Sequence, residues 1–152
     1  MKSKIYADTS VIGGCFDEEF QEVTKQLFED FKSGIKILVL SDLALKELEL
    51  APEPVREIIN LIPEANKEYI FLDEEAEFLS LKYIEEKAVS EKYLVDAQHI
   101  ALTTVEHIDV LASWNFKHIV NLRKIQLYNS INIKYGYSLV EIRSPRELLN
   151  EK

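Results

Sequence analysis

The 152-residue sequence has little of several features that define whole classes of protein. A single cysteine, Cys15, excludes an internal disulfide and fits a reducing compartment. No apolar run approaches the roughly 20 residues that span a bilayer. The N-terminal stretch reaches the carboxylate of Asp8 where the apolar core of a signal peptide would continue. We therefore expect a cytoplasmic protein that has no membrane partner.

Motifs for the common cofactors are also missing. The sequence contains no G-x-G-x-x-G and no Walker A loop, so no motif in it indicates a nucleotide-binding fold. It contains no H-E-x-x-H or C-x-x-C spacing, which disfavours a zinc site on His99 or His118. Cys15 alone is better interpreted as a small packing residue than as a nucleophile.

Positive charge is scarce and unevenly placed. The net charge is −9, which argues against a general binder of polyanions. Residues 114–146 nevertheless hold six basic residues and one acidic residue, a local net charge of +5. This segment is either a solvated helix face or a strip that contacts phosphates. In the second interpretation the candidate RNA-binding residues are Lys117, Arg123 and Lys124.

Short apolar runs alternate with amphipathic stretches along the chain. The sequence has only four glycines and four prolines, the residues that most disfavour helices, so we expect helices to dominate. The runs predict five strands, at 4–8, 36–41, 69–72, 108–113 and 138–143. The stretches predict helices, at 18–34, 41–51, 54–62, 73–88, 90–107, 117–134 and 144–151. Strands that alternate with helices indicate right-handed crossovers and an open, mostly parallel sheet.

Polar residues lie where the predicted strands end, and ligands of such sheets bind at that edge. Asp8 ends the first strand, and Ser113 and Asn115 follow the fourth. Glu47 lies in the helix after the second strand, and Asp96 lies in the helix before the fourth. Asp8 is explained either as a structural N-cap or as a metal ligand. A phosphoacceptor role is disfavoured, because the acidic pair and the lysine of receiver domains are missing.

Three segments resemble the PIN domain, and the resemblance covers the whole chain. They are "YADTSVI", "LALKELE" and "VDAQHIALTTVEHIDVLASWNFKHI". The resemblance implies a three-layer α/β/α sandwich around a mostly parallel five-stranded sheet, with residues 1–152 as a single domain. It also implies an Mg²⁺- or Mn²⁺-dependent endoribonuclease like the VapC-type toxins of type II toxin–antitoxin systems. The acids that match the family pattern and would hold the metal are Asp8, Glu47 and Asp96.

The sequence departs from the family pattern at one acidic position. Asn115 stands where the family usually has a fourth aspartate. An asparagine can coordinate through its carbonyl oxygen or bind a metal-bound water, but it removes a charge and should weaken a second metal. Asn121 is either a further oxygen donor or a surface residue. The alternative function is therefore a weak or inactive PIN-fold module that binds RNA or a protein partner.

Neighbouring residues have supporting interpretations. Thr9, Ser10 and Ser113 would hydrogen-bond a ligating carboxylate or a phosphate, or would cap the strand ends. Trp114 is either a stacking platform for a base or a core aromatic residue. The resemblance further implies an RNA substrate, a homodimer and a small antitoxin that inserts a basic side chain among the acids.

Overall fold

The computed structural model describes residues 2–149, and these contain one five-stranded sheet in which every neighbouring pair is parallel. The strand order is β3-β2-β1-β4-β5, so the first strand lies at the centre. The bounds are β1 Ser3–Ala7, β2 Lys36–Ser41, β3 Lys67–Ile70, β4 Val110–Ala112 and β5 Ile142–Arg143. The predicted five-stranded, mostly parallel α/β class is confirmed. The third strand lies two residues earlier than predicted, and the fifth shortens to two residues.

Helices connect the strands. Within the described residues they are α1 Thr9–Gly14, α2 Gln21–Ser33, α3 Asp42–Leu48, α4 Glu53–Glu57, α5 Glu74–Glu85, α6 Leu94–Val105, α7 Leu122–Lys134 and α8 Pro145–Leu149. The N-caps of α3 and α5 are Ser41, which accepts from Ala44 N at 3.0 Å, and Asp73, which accepts from Ala76 N at 2.9 Å. Gly34 ends α2 at φ 83°, a left-handed conformation that glycine adopts without strain.

Two predicted helices begin later than the sequence suggested. The stretch from Ser90 starts with a 3₁₀ turn at Glu91–Tyr93, and the α-helix begins at Leu94. The stretch from 117 forms turns before α7 begins. Its N-cap is Asn121, whose side chain accepts from Lys124 N at 3.1 Å. The side-chain oxygen of Asn121 therefore satisfies a helix terminus, and the cap accounts for this residue without a metal. The end of the last predicted helix lies outside the described residues.

Apolar side chains cover both faces of the sheet. Successive residues of a strand point to opposite faces, so Ile5 and Ala7 pack in one core and Tyr6 in the other. Helices α5, α6 and α7 cover the Tyr6 face, while α1, α2, α3 and α8 cover the opposite face. This arrangement is the predicted three-layer sandwich. Among residues 2–149 no helix is long and apolar enough to cross a membrane.

Candidate active site

Asp8 lies at the carboxyl end of the central strand and is 4% exposed. Its Oδ1 accepts from Ser10 Oγ at 2.6 Å and from Val11 N at 3.2 Å. Its Oδ2 accepts from Ser113 Oγ at 2.6 Å. The backbone contact makes Asp8 the N-cap of α1, so the capping interpretation is correct. Burial raises the pKa of Asp8, although the charge of His99 and these hydrogen bonds oppose the shift.

Two serine hydroxyls join Asp8 to the turn that follows β4. Ser10 Oγ accepts from Trp114 N at 3.0 Å, and Ser113 Oγ accepts from Asn115 N at 2.9 Å. Each hydroxyl thus accepts a hydrogen bond from a backbone N–H of the turn and donates a hydrogen bond to Asp8. The three residues after β4 are fixed against the end of β1 by this arrangement.

Asn115 holds Asp96 from the other side of the same turn. Its Oδ1 accepts from the backbone nitrogens of Lys117 and His118 at 3.2 Å and 3.0 Å. Its Nδ2 therefore faces Asp96 and donates to Oδ2 at 3.3 Å. The carbonyl oxygen that could ligate a metal caps the turn instead. Asp96 lies in the first turn of α6 and is half-buried.

Glu47 is held by two donors. Its Oε1 accepts from Thr9 Oγ1 at 2.9 Å and is 2.9 Å from His99 Nε2. Because an ionised carboxylate only accepts, Nε2 carries a proton in either protonation state of His99. Burial alone would raise the pKa of Glu47, but the hydrogen bond and charge of His99, together with Thr9, lower it overall.

A buried chain of hydrogen bonds supports His99. Its Nδ1 lies 2.7 Å from the Tyr6 hydroxyl, which lies 2.6 Å from Ser41 Oγ. Burial raises the pKa of Tyr6 far above its ordinary value, so its hydroxyl keeps its proton. With His99 neutral, Ser41 donates to Tyr6 and Tyr6 donates to Nδ1. Sequence reasoning did not assign His99 a role, although its place three residues after Asp96 on one helix face was a usable signal.

The three acids differ in electrostatics although their charges act on one another. Burial raises the pKa of Asp96, the charges of His99 and His118 oppose that shift, and the charges of Asp8 and Glu47 add to it. The hydrogen bonds and charges around Asp8 and Asp96 therefore do not fully offset the burial of their ionised carboxylates, and we call these two acids undercompensated. The partners of Glu47 do offset its burial. A cation would favour the charged forms of Asp8 and Asp96.

The donors fit one hydrated ion better than a closed metal cage. Within residues 2–149 no three His, Cys, Asp or Glu side chains form a group able to hold a metal ion. Mg²⁺ does not need such a group, because it keeps several waters and binds through one or two carboxylates. Asp8 and Asp96 would supply that number, and a cation would offset the burial that raises their pKa values.

The predicted phosphate contacts differ in exposure and in their partners. Lys117 and Arg123 are exposed, but Lys124 Nζ donates to the carbonyl of Ala88 at 2.6 Å. Trp114 is 5% exposed, stacks on Phe20 at 4.1 Å and donates from Nε1 to Thr24 Oγ1 at 2.9 Å. Trp114 is therefore a core residue and offers no free face to a base.

Solved structures of low sequence identity share this fold. VapC20 from Mycobacterium tuberculosis, described as a toxin that cleaves the sarcin–ricin loop, is 12% identical with a TM-score of 0.58, over 75% of this chain and 92% of VapC20. VapBC2 from Rickettsia felis, bound to a DNA fragment from its promoter, is 11% identical with a TM-score of 0.59 over 93% and 98%. FitAcB from Neisseria gonorrhoeae is 14% identical with a TM-score of 0.56 over 93% and 98%. Neither a protein-family model nor a curated protein sequence matches the chain.

The chain therefore has the fold of PIN-domain proteins, and the resemblance predicted from three sequence segments is confirmed at the level of fold. The neighbours include VapC20 and VapBC2, so the fold of this chain is VapC-like.

Proposed function

We propose that this protein is a metal-dependent endoribonuclease that hydrolyses RNA phosphodiester bonds. One observation carries the proposal: the buried carboxylate of Asp8 and the half-buried carboxylate of Asp96 lie at the carboxyl edge of the sheet with raised pKa values. Groups in that state at a ligand-binding edge are candidates for a functional site. The fold shared with a toxin that cleaves RNA supports the same conclusion.

Each residue of the site has a role that follows from its contacts. Asp8 and Asp96 would hold Mg²⁺ or Mn²⁺, which when bound lowers the pKa of a water and stabilises charge on a phosphate. Ser10 and Ser113 fix the orientation of Asp8, and Asn115 fixes Asp96.

Glu47, the third acid of the predicted set, stays ionised because its pKa is lowered. It would accept a hydrogen bond from the attacking water and orient it for attack on the phosphorus. His99 and Thr9 hold Glu47 for this task, since both contact the same oxygen.

The weak-module alternative rests on Asn115. An asparagine at this position contributes no charge, and its oxygen is already engaged by two backbone nitrogens. A site with one fewer carboxylate would bind metal less tightly and could hold RNA or protein without cutting.

The proposed biological partners are an antitoxin and a second copy of the chain. Neighbours that match 93% of this chain are complexes of a toxin with its antitoxin. An acidic pocket that lacks full compensation would suit the guanidinium of a partner's arginine. Light scattering on the pure protein tests the homodimer.

Calorimetric titration with Mn²⁺ and cleavage of a mixed RNA pool would test the proposed activity together. We expect binding and cleavage in the wild-type protein, and loss of both in Asp8→Asn and Asp96→Asn. The matched control is Glu106→Gln, which removes one charge from an exposed acid after α6. A folded wild-type protein that neither binds Mn²⁺ nor cuts RNA would favour the binding module.

A further inference from the structure

An exposed aromatic ring lies next to the acidic site. Phe116 directly follows Asn115, whose amide contacts Asp96, and Phe116 is 48% exposed. Its ring centroid is 6.4 Å from that of Phe20 and 6.1 Å from that of Trp114. These three rings, Phe20, Trp114 and Phe116, form an aromatic cluster.

Trp114 and Phe20, the two rings on which Phe116 rests, are held in place by packing and a hydrogen bond. Trp114 stacks on Phe20 with an interplanar angle of 14° and donates to Thr24. A Cβ at Gly14 would meet Trp114 Nε1 at 2.9 Å, so α1 packs closely against the indole. Phe116 therefore rests on fixed rings, while about half of its side chain stays open to solvent. A preorganised ring binds at a lower entropic cost than a mobile one.

Two cations flank the aromatic cluster in a protein of net charge −9. The guanidinium carbon of Arg146 lies 5.7 Å from the Trp114 ring centroid. Lys117 follows Phe116 and is exposed. Single-stranded nucleic acid is bound by this combination, in which rings stack on bases and cations follow the backbone.

We propose that Phe116 stacks on a nucleobase of single-stranded RNA beside the scissile phosphate, with Lys117 and Arg146 along the backbone. The proposal rests on the proposed ribonuclease function and specifies its substrate as single-stranded at the cleavage position. Stacking does not read base edges, so Phe116 should tolerate any base. The flanking cations favour RNA over an apolar protein segment as the occupant.

Binding of a fluorescent oligouridylate of about eight nucleotides tests the proposal by fluorescence anisotropy in EDTA. EDTA prevents metal-dependent cleavage, so binding is measured separately from activity. We expect Phe116→Ala to weaken binding by about 5- to 140-fold and Phe116→Trp to retain it. Phe116→Leu should behave like Phe116→Ala, since it keeps apolar area and loses the π-face.

Phe78→Ala is the matched control. Phe78 is 46% exposed, and its ring packs on Tyr135, away from the acids. Removing one base from the oligonucleotide at successive positions should weaken binding to wild type at one position and have no effect there on Phe116→Ala. This loss of the base effect distinguishes stacking from general damage to the protein.

Several results would overturn the proposal. They are unchanged binding in Phe116→Ala, an equal loss in Phe78→Ala, no binding by wild type, or an effect of Phe116→Ala on self-association alone. The last result would assign Phe116 to a protein interface. Base-dependent binding without cleavage when Mn²⁺ is added would leave stacking intact and would refute the nuclease instead.

Discussion

The two sides of the candidate active site shift the pKa values of their carboxylates in opposite directions. On the Glu47 side, His99 and Thr9 donate to the carboxylate and lower its pKa. On the Asp8–Asp96 side, burial raises the pKa of both acids, and the negative charges of Asp8 and Glu47 add to the shift of Asp96. Environments that separate pKa values assign different roles to chemically similar groups. The comparison indicates that Glu47 is compensated by the protein itself, whereas Asp8 and Asp96 are arranged for a cation that comes from outside.

The largest expected effect comes from removing a charge on the undercompensated side. Asp8→Asn and Asp96→Asn should each lower RNA cleavage by more than about 100-fold, because losing even a partner of a ligand costs about 10- to 100-fold. Asp96→Asn also relieves repulsion by the charges of Asp8 and Glu47, so its melting temperature in EDTA should rise by about 2–4 °C for each kcal/mol relieved. Glu106→Gln, which changes an exposed acid, should alter neither quantity. An unstable Asp96→Asn variant would contradict the comparison.

The second effect comes from the compensated side. His99→Gln removes the imidazole that donates to Glu47, so the pKa of Glu47 should rise. RNA cleavage should then fall by about 10- to 100-fold. The substitution also leaves the buried Tyr6 hydroxyl with one partner fewer, at a stability cost of about 1–3 kcal/mol. Steady-state kinetics should place the loss mainly in kcat. His107→Gln is the control, since His107 is exposed and outside the site. Equal losses in both variants would argue against a role for His99.

A third prediction reverses the departure from the family pattern. Asn115→Asp places a charge beside Asp96, where the amide now donates at 3.3 Å. Mn²⁺ binding should tighten by about 5- to 100-fold, while the melting temperature in EDTA should fall because two carboxylates then repel. Titration calorimetry and thermal unfolding measure the two effects. Tighter binding without destabilisation would mean that the introduced carboxylate does not face Asp96.

The smallest effect is the pH dependence of stability in EDTA. Because the folded pKa values of Asp8 and Asp96 exceed 3.8, their contribution is fully present below that pH and is lost as pH rises through the folded values. Glu47 behaves in the opposite way, since its folded pKa lies below 4.5 and its contribution is lost as pH falls. Urea unfolding of Glu47→Gln should show a loss of about 1 kcal/mol at pH 7 that shrinks in acid. A loss of unfolding free energy that grows in acid would mean that the folded pKa of Glu47 is raised and not lowered.

The sequence predicted the parts of the site that depend on strand order. Asp8 and Ser113 end adjacent parallel strands, so topology alone brings them to one edge. The spacing of His99 from Asp96 indicated a shared helix face, but not its hydrogen-bond partners, because Tyr6 and Glu47 lie 93 and 52 residues away in the sequence. Asn121 was ambiguous for a different reason: a helix cap and a metal ligand use the same oxygen.

The order of the strands has a consequence for protein synthesis. Asp8 ends β1, yet its hydroxyl partner Ser113 lies 105 residues further along and enters the sheet with β4. Asp8 therefore emerges from the ribosome long before Ser113, which orients its carboxylate. Parallel pairing of such distant segments is slow to form. The growing chain stays without a complete site until Ser113 and Asn115 have been translated, which would keep the proposed nuclease silent beside the RNA that encodes it.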